Sequence, residues 1–202
     1  MMMAKAFTEQ EKIKIKEKIL EAALDLFHDK GTKALSIAEL TKHAGIAQGS
    51  FYNFWKDKEA LIIELIAYRA SQKLHAIEKK FSNSLTAPTE FLTDIIYKFS
   101  VDLMTKIQTK PVYREAFKVF EAKRQQEAHK MEVLYQDFLA KLIQYWEQNG
   151  TIKRVDKKGL MSAFIGSAVL CSQYYQFDKA YFNEVLRTFI SGLVNKYIEG
   201  NL

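Results

Sequence analysis

The sequence predicts an all-α fold of about nine helices, on three observations. Apolar residues recur at three- and four-residue spacing along most of the chain. Proline and glycine are scarce, 2 and 8 in 202 residues, and they fall at helix ends. Gly31, Gly45, Gly150 and Gly200 each follow an amphipathic stretch, while Pro88 and Pro111 stand where helices can begin. No segment sustains the apolar/polar alternation of a strand, and the Asn149-Gly150 pair follows a helical run.

The first helix runs from about Glu9 to Lys30, with Ile15, Ile19, Ala22, Ala23, Leu26 and Phe27 on one stripe and Gly31 as its C′ stop. A short helix over Ile37–His43 follows. Its start, Ser36-Ile37-Ala38-Glu39, is a capping box in which the Ser36 hydroxyl accepts a free backbone N–H and Glu39 reaches back. Ala44-Gly45-Ile46-Ala47 makes a tight turn into a second short helix, Gln48 to Trp55. Lys56-Asp57 break it, and a longer helix spans Lys58 to about Ser82. Next come a helix from Pro88 to Thr109, a short one after Pro111, and a long one over Val119–Gln148, about 45 Å at ~1.5 Å per residue. Lys157–Phe177 and Tyr181–Glu199 form the last two. These elements divide into domains at 1–60 and 61–202, joined rigidly through the Lys58–Ser82 helix.

Composition excludes several classes. Hydrophobic residues make up 48% of the chain, enough for a large core and too many for wholesale disorder. The lone cysteine, Cys171, builds no internal disulfide or four-cysteine zinc site. No uncharged apolar run reaches the ~20 residues a membrane span needs, and Met1–Lys18 is dense in Lys and Glu where a secretion signal is apolar. A cytoplasmic protein with no membrane partner is the expectation. His28, His43, His75 and His129 sit in no metal-hydrolase motif, and no nucleophile elbow or phosphate-binding glycine loop occurs. His75 with Glu78 reads as a surface pair, and Asp25 and Asp29 as solvated residues. The chain is therefore expected to be no enzyme and to carry no metal and no cofactor. The net charge of +6 suits a nucleic-acid partner. Residues 1–60, however, hold 10 Lys/Arg against 9 Asp/Glu, so binding there depends on where a few cations stand.

Two short helices joined by a glycine-containing turn, the second presented outward, have the geometry that enters a major groove. Gly45 suits a turn that needs positive φ, and Ile37, Leu40, Ala44, Ile46 and Phe51 are spaced to bury against Leu26 and Phe27. A closer likeness lies in Gly31, Ser36, Ile37, Leu40, Ala44, Gly45 and Ile46, then Gly49, Ser50, Phe51, Tyr52, Asp57, Lys58, Glu59 and Leu61. On these residues the stretch Gly31–Leu61 resembles the N-terminal helix-turn-helix motif of the TetR family of transcriptional regulators. Three positions depart from the pattern. Thr41 stands where Ala is usual, Trp55 where Phe is usual, and Ala47 where Ser or Thr supplies an N-cap hydroxyl worth about 1 kcal/mol.

The resemblance implies a homodimeric repressor that binds palindromic, double-stranded operator DNA. It puts Gln48, Gly49, Ser50 and Asn53 at base edges, with Ala47 at the start of the same helix. The amides of Gln48 and Asn53 suit bidentate contact with adenine. Tyr52, Lys58 and Ser36 become phosphate contacts, the last helped by its helix dipole, with Lys42 and His43 beside them. Lys5, Lys12, Lys14 and Lys16 form a basic arm.

The final helix carries a continuous apolar face, which includes Phe182, Val185, Leu186, Phe189, Ile190, Leu193, Val194 and Tyr197. The helix before it has small residues at Ser162, Ala163, Gly166, Ser167 and Ala168. Under the resemblance these two helices join their copies in a four-helix bundle. Phe164, Ser167 and Cys171 then lie in the dimer interface with Phe182, Leu186, Phe189, Ile190 and Leu193. The body is rich in large apolar and aromatic residues: Phe91, Ile95, Phe99 and Leu103, then Phe117, Phe120, Tyr135, Phe138, Trp146 and Tyr174. In the family such residues line a pocket for a small hydrophobic or aromatic effector, whose binding tilts the Lys58–Ser82 helix and releases DNA. Two other readings stay open. One is a constitutive or partner-controlled DNA-binding protein with no effector. The other is a helical lipid carrier or adaptor, against which the Gly31–Leu61 motif speaks.

Overall fold

The computed structural model describes residues 7–30, 35–122 and 124–200. Lys5 and Gly31 lie outside them, as do the side chains of His28, Asp29 and His129. Of the described residues, 82% are helical. Its α-helices are α1 (Glu9–Lys30), α2 (Ile37–Ala44), α3 (Lys58–Glu78), α4 (Pro88–Thr109), α5 (Pro111–Ala122), α6 (Arg124–Gln148), α7 (Lys157–Ser172) and α8 (Phe182–Tyr197). Short 3-10 helices occupy Gln48–Asn53, Phe81–Ser84 and Tyr174–Gln176.

Local chemistry sets most of the ends. A capping box opens α1: the Glu11 N–H donates to Thr8 Oγ1 at 3.2 Å, and the Thr8 N–H donates to Glu11 Oε2 at 2.8 Å. Asp57 caps α3 by accepting the Ala60 N–H at 2.7 Å, and Asp156 caps α7 by accepting the Gly159 N–H at 3.0 Å. α3 stops at Glu78, short of the expected Ser82, because the following segment is tied elsewhere. The Ser84 hydroxyl donates to Phe81 O at 2.6 Å and accepts the Trp146 indole N–H at 2.7 Å, and Ser84 and Trp146 are both fully buried. α7 ends at Ser172 and leaves Tyr174–Gln176 as a 3-10 turn. Val119–Ala122 belong to α5, not to the long helix expected from Val119; no described residue accounts for that break.

The all-α class holds with one addition. β1 (Ile152–Val155) pairs antiparallel with β2 (Ile198–Gly200), with Val155 opposite Ile198 and Arg154 opposite Glu199. Strands this short cannot display a period of two in the sequence, so the ribbon was not legible there. It buries Ile152 and Ile198.

The chain forms two compact units, Met1–Ala70 with Lys110–Glu127, and Ser71–Thr109 with Ala128–Leu202. In the first, α1, α2, the Gln48–Asn53 turn and α5 surround a core that includes Ile19, Phe27, Leu40, Phe51, Trp55 and Leu61. Phe27 meets Tyr113 of α5 edge-on, with ring centroids 5.1 Å apart. In the second, α7 and α8 pack on each other and on α4. Leu92, Ile96, Phe138, Leu142, Trp146, Leu160, Leu186 and Ile190 fill its core. No helix among the described residues is long and apolar enough to cross a membrane.

Candidate nucleic-acid interface

Ser36 is exposed at the start of α2, where its hydroxyl accepts the Glu39 N–H at 3.4 Å; this is the hydroxyl half of the expected box. Leu40 and Ala44 bury one face of α2, and Ile37 and Ile46 are half-buried beside them. Thr41 is also buried, and its hydroxyl donates to Ile37 O at 2.8 Å. A threonine is tolerated in alanine's place because the helix backbone satisfies its only polar group. Gly45 ends α2 with φ 73°, ψ 31°, a conformation that disfavours any Cβ. The Ile46 N–H then returns to Thr41 O at 3.0 Å, fixing the direction in which the chain leaves.

The next element differs from expectation. Gln48–Asn53 is a six-residue 3-10 helix, not an α-helix reaching Trp55. The Ser50 N–H donates to Ala47 O at 2.9 Å and the Phe54 N–H to Phe51 O at 2.9 Å. Three features of the sequence favour the short form. Ala47 gives no side-chain cap, Gly49 is a poor helix former, and Phe51, Tyr52 and Asn53 are weak ones. Phe51 and Trp55 point inward and are buried, with ring centroids 5.3 Å apart. Ala47, Gln48, Gly49, Tyr52 and Asn53 are exposed, and Ser50 is half-buried. Tyr52 is 58% exposed, which rules out a core role for its ring. Lys42 and His43 are exposed on the last turn of α2, and Lys58 is half-buried at the start of α3. Among the described residues, those expected to read or hold DNA therefore all reach solvent, and none is locked in the core.

Two of the expected arm cations are engaged within the protein. Lys12 pairs with Glu9 at 2.6 Å, and Lys16 pairs with Glu64 of α3. The other Glu64 oxygen accepts the Trp55 indole N–H at 2.8 Å. This junction of α1, α3 and the segment after the 3-10 turn was not anticipated. The sequence signal for it was Trp55 itself, an aromatic whose N–H needs an acceptor when buried.

The interface and pocket expectations need correction. Phe164, Ser167, Cys171, Phe182, Leu186 and Ile190 are buried within their own unit, so they are core and not a surface for a partner; Phe189 and Leu193 are half-buried against them. The physical cause is that α7 and α8 turn their strongest apolar faces onto α4. The large apolar residues left exposed on these helices are Ile165, Val169 and Val185. Among the pocket residues, Phe138 and Trp146 are filled core, Ile95 is buried but borders a cleft, and Phe117 and Phe120 lie on α5, in the other unit. Phe91, Phe99, Leu103, Tyr135 and Tyr174 are half-buried. A cleft of about 240 Å³ touches Phe91 and Ile95 along with Asn83, Glu90, Asp94 and Lys98, which is smaller than a typical ligand site. Tyr135 stacks on Phe164 with centroids 4.7 Å apart, and burial pushes its phenol up to about 12. His75 Nδ1 lies 3.2 Å from Glu78 Oε2 on the surface, and no group of three metal-ligating residues occurs among the described ones.

The family model of bacterial regulatory proteins, tetR family, matches residues 19–65. The chain is 48% identical over 46 residues to the uncharacterized HTH-type transcriptional regulator YvdT of Bacillus subtilis (strain 168), covering 23% of this chain and 24% of that protein. It is 38% identical over 58 residues to the HTH-type transcriptional regulator AcrR of Shigella flexneri, covering 29% of this chain and 27% of that one. Matches to curated relatives span from 22% to 44% of their length. A solved structure of RolR in complex with resorcinol superposes with a TM-score of 0.58 over 94% of this chain and 90% of that chain, at 15% identity, and so shares the fold. The two curated relatives are both HTH-type transcriptional regulators by name. The likeness to the tetR family of bacterial regulatory proteins is thus carried by residues 19–65, the helix-turn-helix segment.

Proposed function

We propose that the protein is a transcriptional regulator that binds palindromic operator DNA as a homodimer and is released by a small hydrophobic or aromatic effector. One observation carries the DNA-binding part: Gln48, Gly49, Tyr52 and Asn53 are presented to solvent on a turn whose Phe51 is buried beneath them. Gln48 and Asn53 read base edges. Tyr52, Ser36, Lys42 and Lys58 hold phosphates and set the register. A near-neutral reading unit fits this division, since register then comes from a few placed groups.

The dimer face we assign is the exposed one of α7 and α8, with Ile165, Val169 and Val185 at its centre. A pair of such units reads two half-sites about 34–36 Å apart. The effector site we assign borders Tyr135. That side chain is half-buried and stacks on Phe164 of α7, with ring centroids 4.7 Å apart. Phe99, Leu103 and Tyr174 are the half-buried residues we place around it. The effector acts by biasing the tilt of α3, which begins at Lys58 beside the reading residues.

A gel shift on fragments of the source genome tests the proposal. The wild-type protein retards a subset of fragments, and Tyr52→Phe and Lys58→Ala weaken every retarded band. Equal retardation of all fragments, or bands unaffected by both substitutions, would contradict it.

A further inference from the structure

The element that reads DNA is poorly equipped to hold itself still. Gln48–Asn53 has six residues, no side-chain cap and an exposed glycine near its start. Helical segments this short have little stability of their own. Its orientation has to come from what it is anchored to. Phe51 anchors the turn by burial, but burial is a non-directional force. Phe54 and Trp55 make tilted contacts at 5.6 Å, and Phe51 and Trp55 at 5.3 Å, and neither contact fixes a direction. A hydrogen bond does. The Trp55 indole N–H donates at 2.8 Å to Glu64 Oε2 on α3, and Glu64 Oε1 takes the ammonium of Lys16 on α1. The Glu64 side chain is only 19% exposed. A bond to an ionised carboxylate in that setting is about twice as strong as a neutral one.

We propose that Glu64 is a positioning residue for the reading segment, orienting it through Trp55 and held in place by Lys16. The proposal rests on the DNA-binding reading above. Two features otherwise without a role are thereby explained. Trp55 stands where the family pattern has phenylalanine, and only the indole supplies a donor that can reach an acceptor on α3. Lys16, one of the cations expected to touch the DNA backbone, instead has its charge spent on Glu64. Its effect on binding then comes through geometry, not through a phosphate. The carboxylate also joins α3 directly to the residue that closes the reading turn, so rotation of α3 about its own axis near Glu64 moves Trp55 with it.

The test uses the full chain and a duplex selected from a random pool by the wild-type protein. Affinity for that duplex and for a scrambled one is measured across a salt series by fluorescence anisotropy. Trp55→Phe and Glu64→Ala should each weaken the selected duplex about tenfold, the size expected for losing a hydrogen bond to a charged group. The scrambled duplex should change by no more than about twofold, and the salt slope should stay at the wild-type value, because no phosphate contact is lost. Lys16→Met should lower selected-duplex affinity by about threefold, again with the slope intact, and Lys16→Arg should restore it. If Glu64→Ala fails to fold, Trp55→Phe carries the test, since it keeps the buried ring. Selected-duplex affinity unchanged in Trp55→Phe would overturn the proposal. So would a Lys16→Met variant that weakens both duplexes equally and lowers the slope by about one, the signature of a phosphate contact. A wild-type protein that enriches no duplex at all would remove the DNA-binding reading, and this proposal with it.

Discussion

Gly45 and Gly49 sit four residues apart in the same motif, yet the backbone calls for glycine only at the first, and substituting each by alanine separates folding from the DNA reading we propose. A Cβ at Gly45 would meet nothing within 4 Å, but the backbone there has φ 73°. The whole penalty is conformational, and for a left-handed residue it is about 1–2 kcal/mol. Gly45→Ala should therefore lower stability by that amount, and Gly45→Asn by less, since asparagine tolerates this region. A Cβ at Gly49 also meets nothing within 4 Å, and its φ is not in the left-handed range. The fold does not require glycine at 49. Gly49→Ala should leave stability unchanged or raise it by about 0.4–1 kcal/mol through loss of unfolded-state entropy. The methyl would stand on the surface proposed to approach the duplex, so operator affinity should fall by about tenfold or more, from loss of close backbone approach. Urea denaturation followed by circular dichroism gives the stabilities, and fluorescence anisotropy gives the affinities. A Gly49→Ala protein that is as stable as wild type and binds as tightly would refute the assignment of that surface. A destabilised one would refute the account of the backbone.

Three further outcomes follow from the second unit. Ser84→Ala removes the acceptor of the buried Trp146 N–H and should cost about 1–3 kcal/mol; a thermal midpoint unmoved from wild type would show that another group takes over that proton. Val185→Glu, on an exposed position of α8, should yield monomers in size-exclusion chromatography with light scattering while helicity is retained; a persisting dimer would place the interface elsewhere. Burial pushes the Cys171 thiol up to about 11 from its ordinary 9.0, so at pH 8 the folded protein holds about a hundredfold less thiolate than the unfolded chain. Labelling by a disulfide reagent should be at least that much slower in buffer than in urea, and rapid labelling of the native protein would contradict the burial of α7 against α4.

Legibility in the sequence followed how local the cause was. Ser36 and Gly45 act within a few residues of themselves, so the ends of α2 could be read directly. Pro88 likewise set the start of α4. Phe51 and Tyr52 were assigned to opposite faces by a motif that encodes its own short-range geometry. The reading turn itself was mistaken for an α-helix because periodicity over eight residues cannot distinguish 3.6 from 3.0 residues per turn. Long-range causes were invisible. Nothing near Ser82 announces that Ser84 will bond to Trp146, and nothing near Lys16 announces Glu64. The apolar face of α8 was real, but a stripe in a sequence does not say what covers it. Leu186 and Ile190 went to their own core, and the weaker stripe through Val185 was left outside. The same ambiguity turned Phe138 and Trp146 from expected pocket lining into filled interior.

The account stands on residues Gln48–Asn53 reading duplex DNA, and footprinting on a duplex enriched by the wild-type protein measures that most directly. Protection should appear as two inverted half-sites whose centres are separated by about one helical turn or a multiple of it, and Gln48→Ala and Asn53→Ala should relax base preference inside those half-sites while leaving the phosphate contacts. A pool that shows no enrichment, or a footprint whose base preference survives both substitutions, would contradict it.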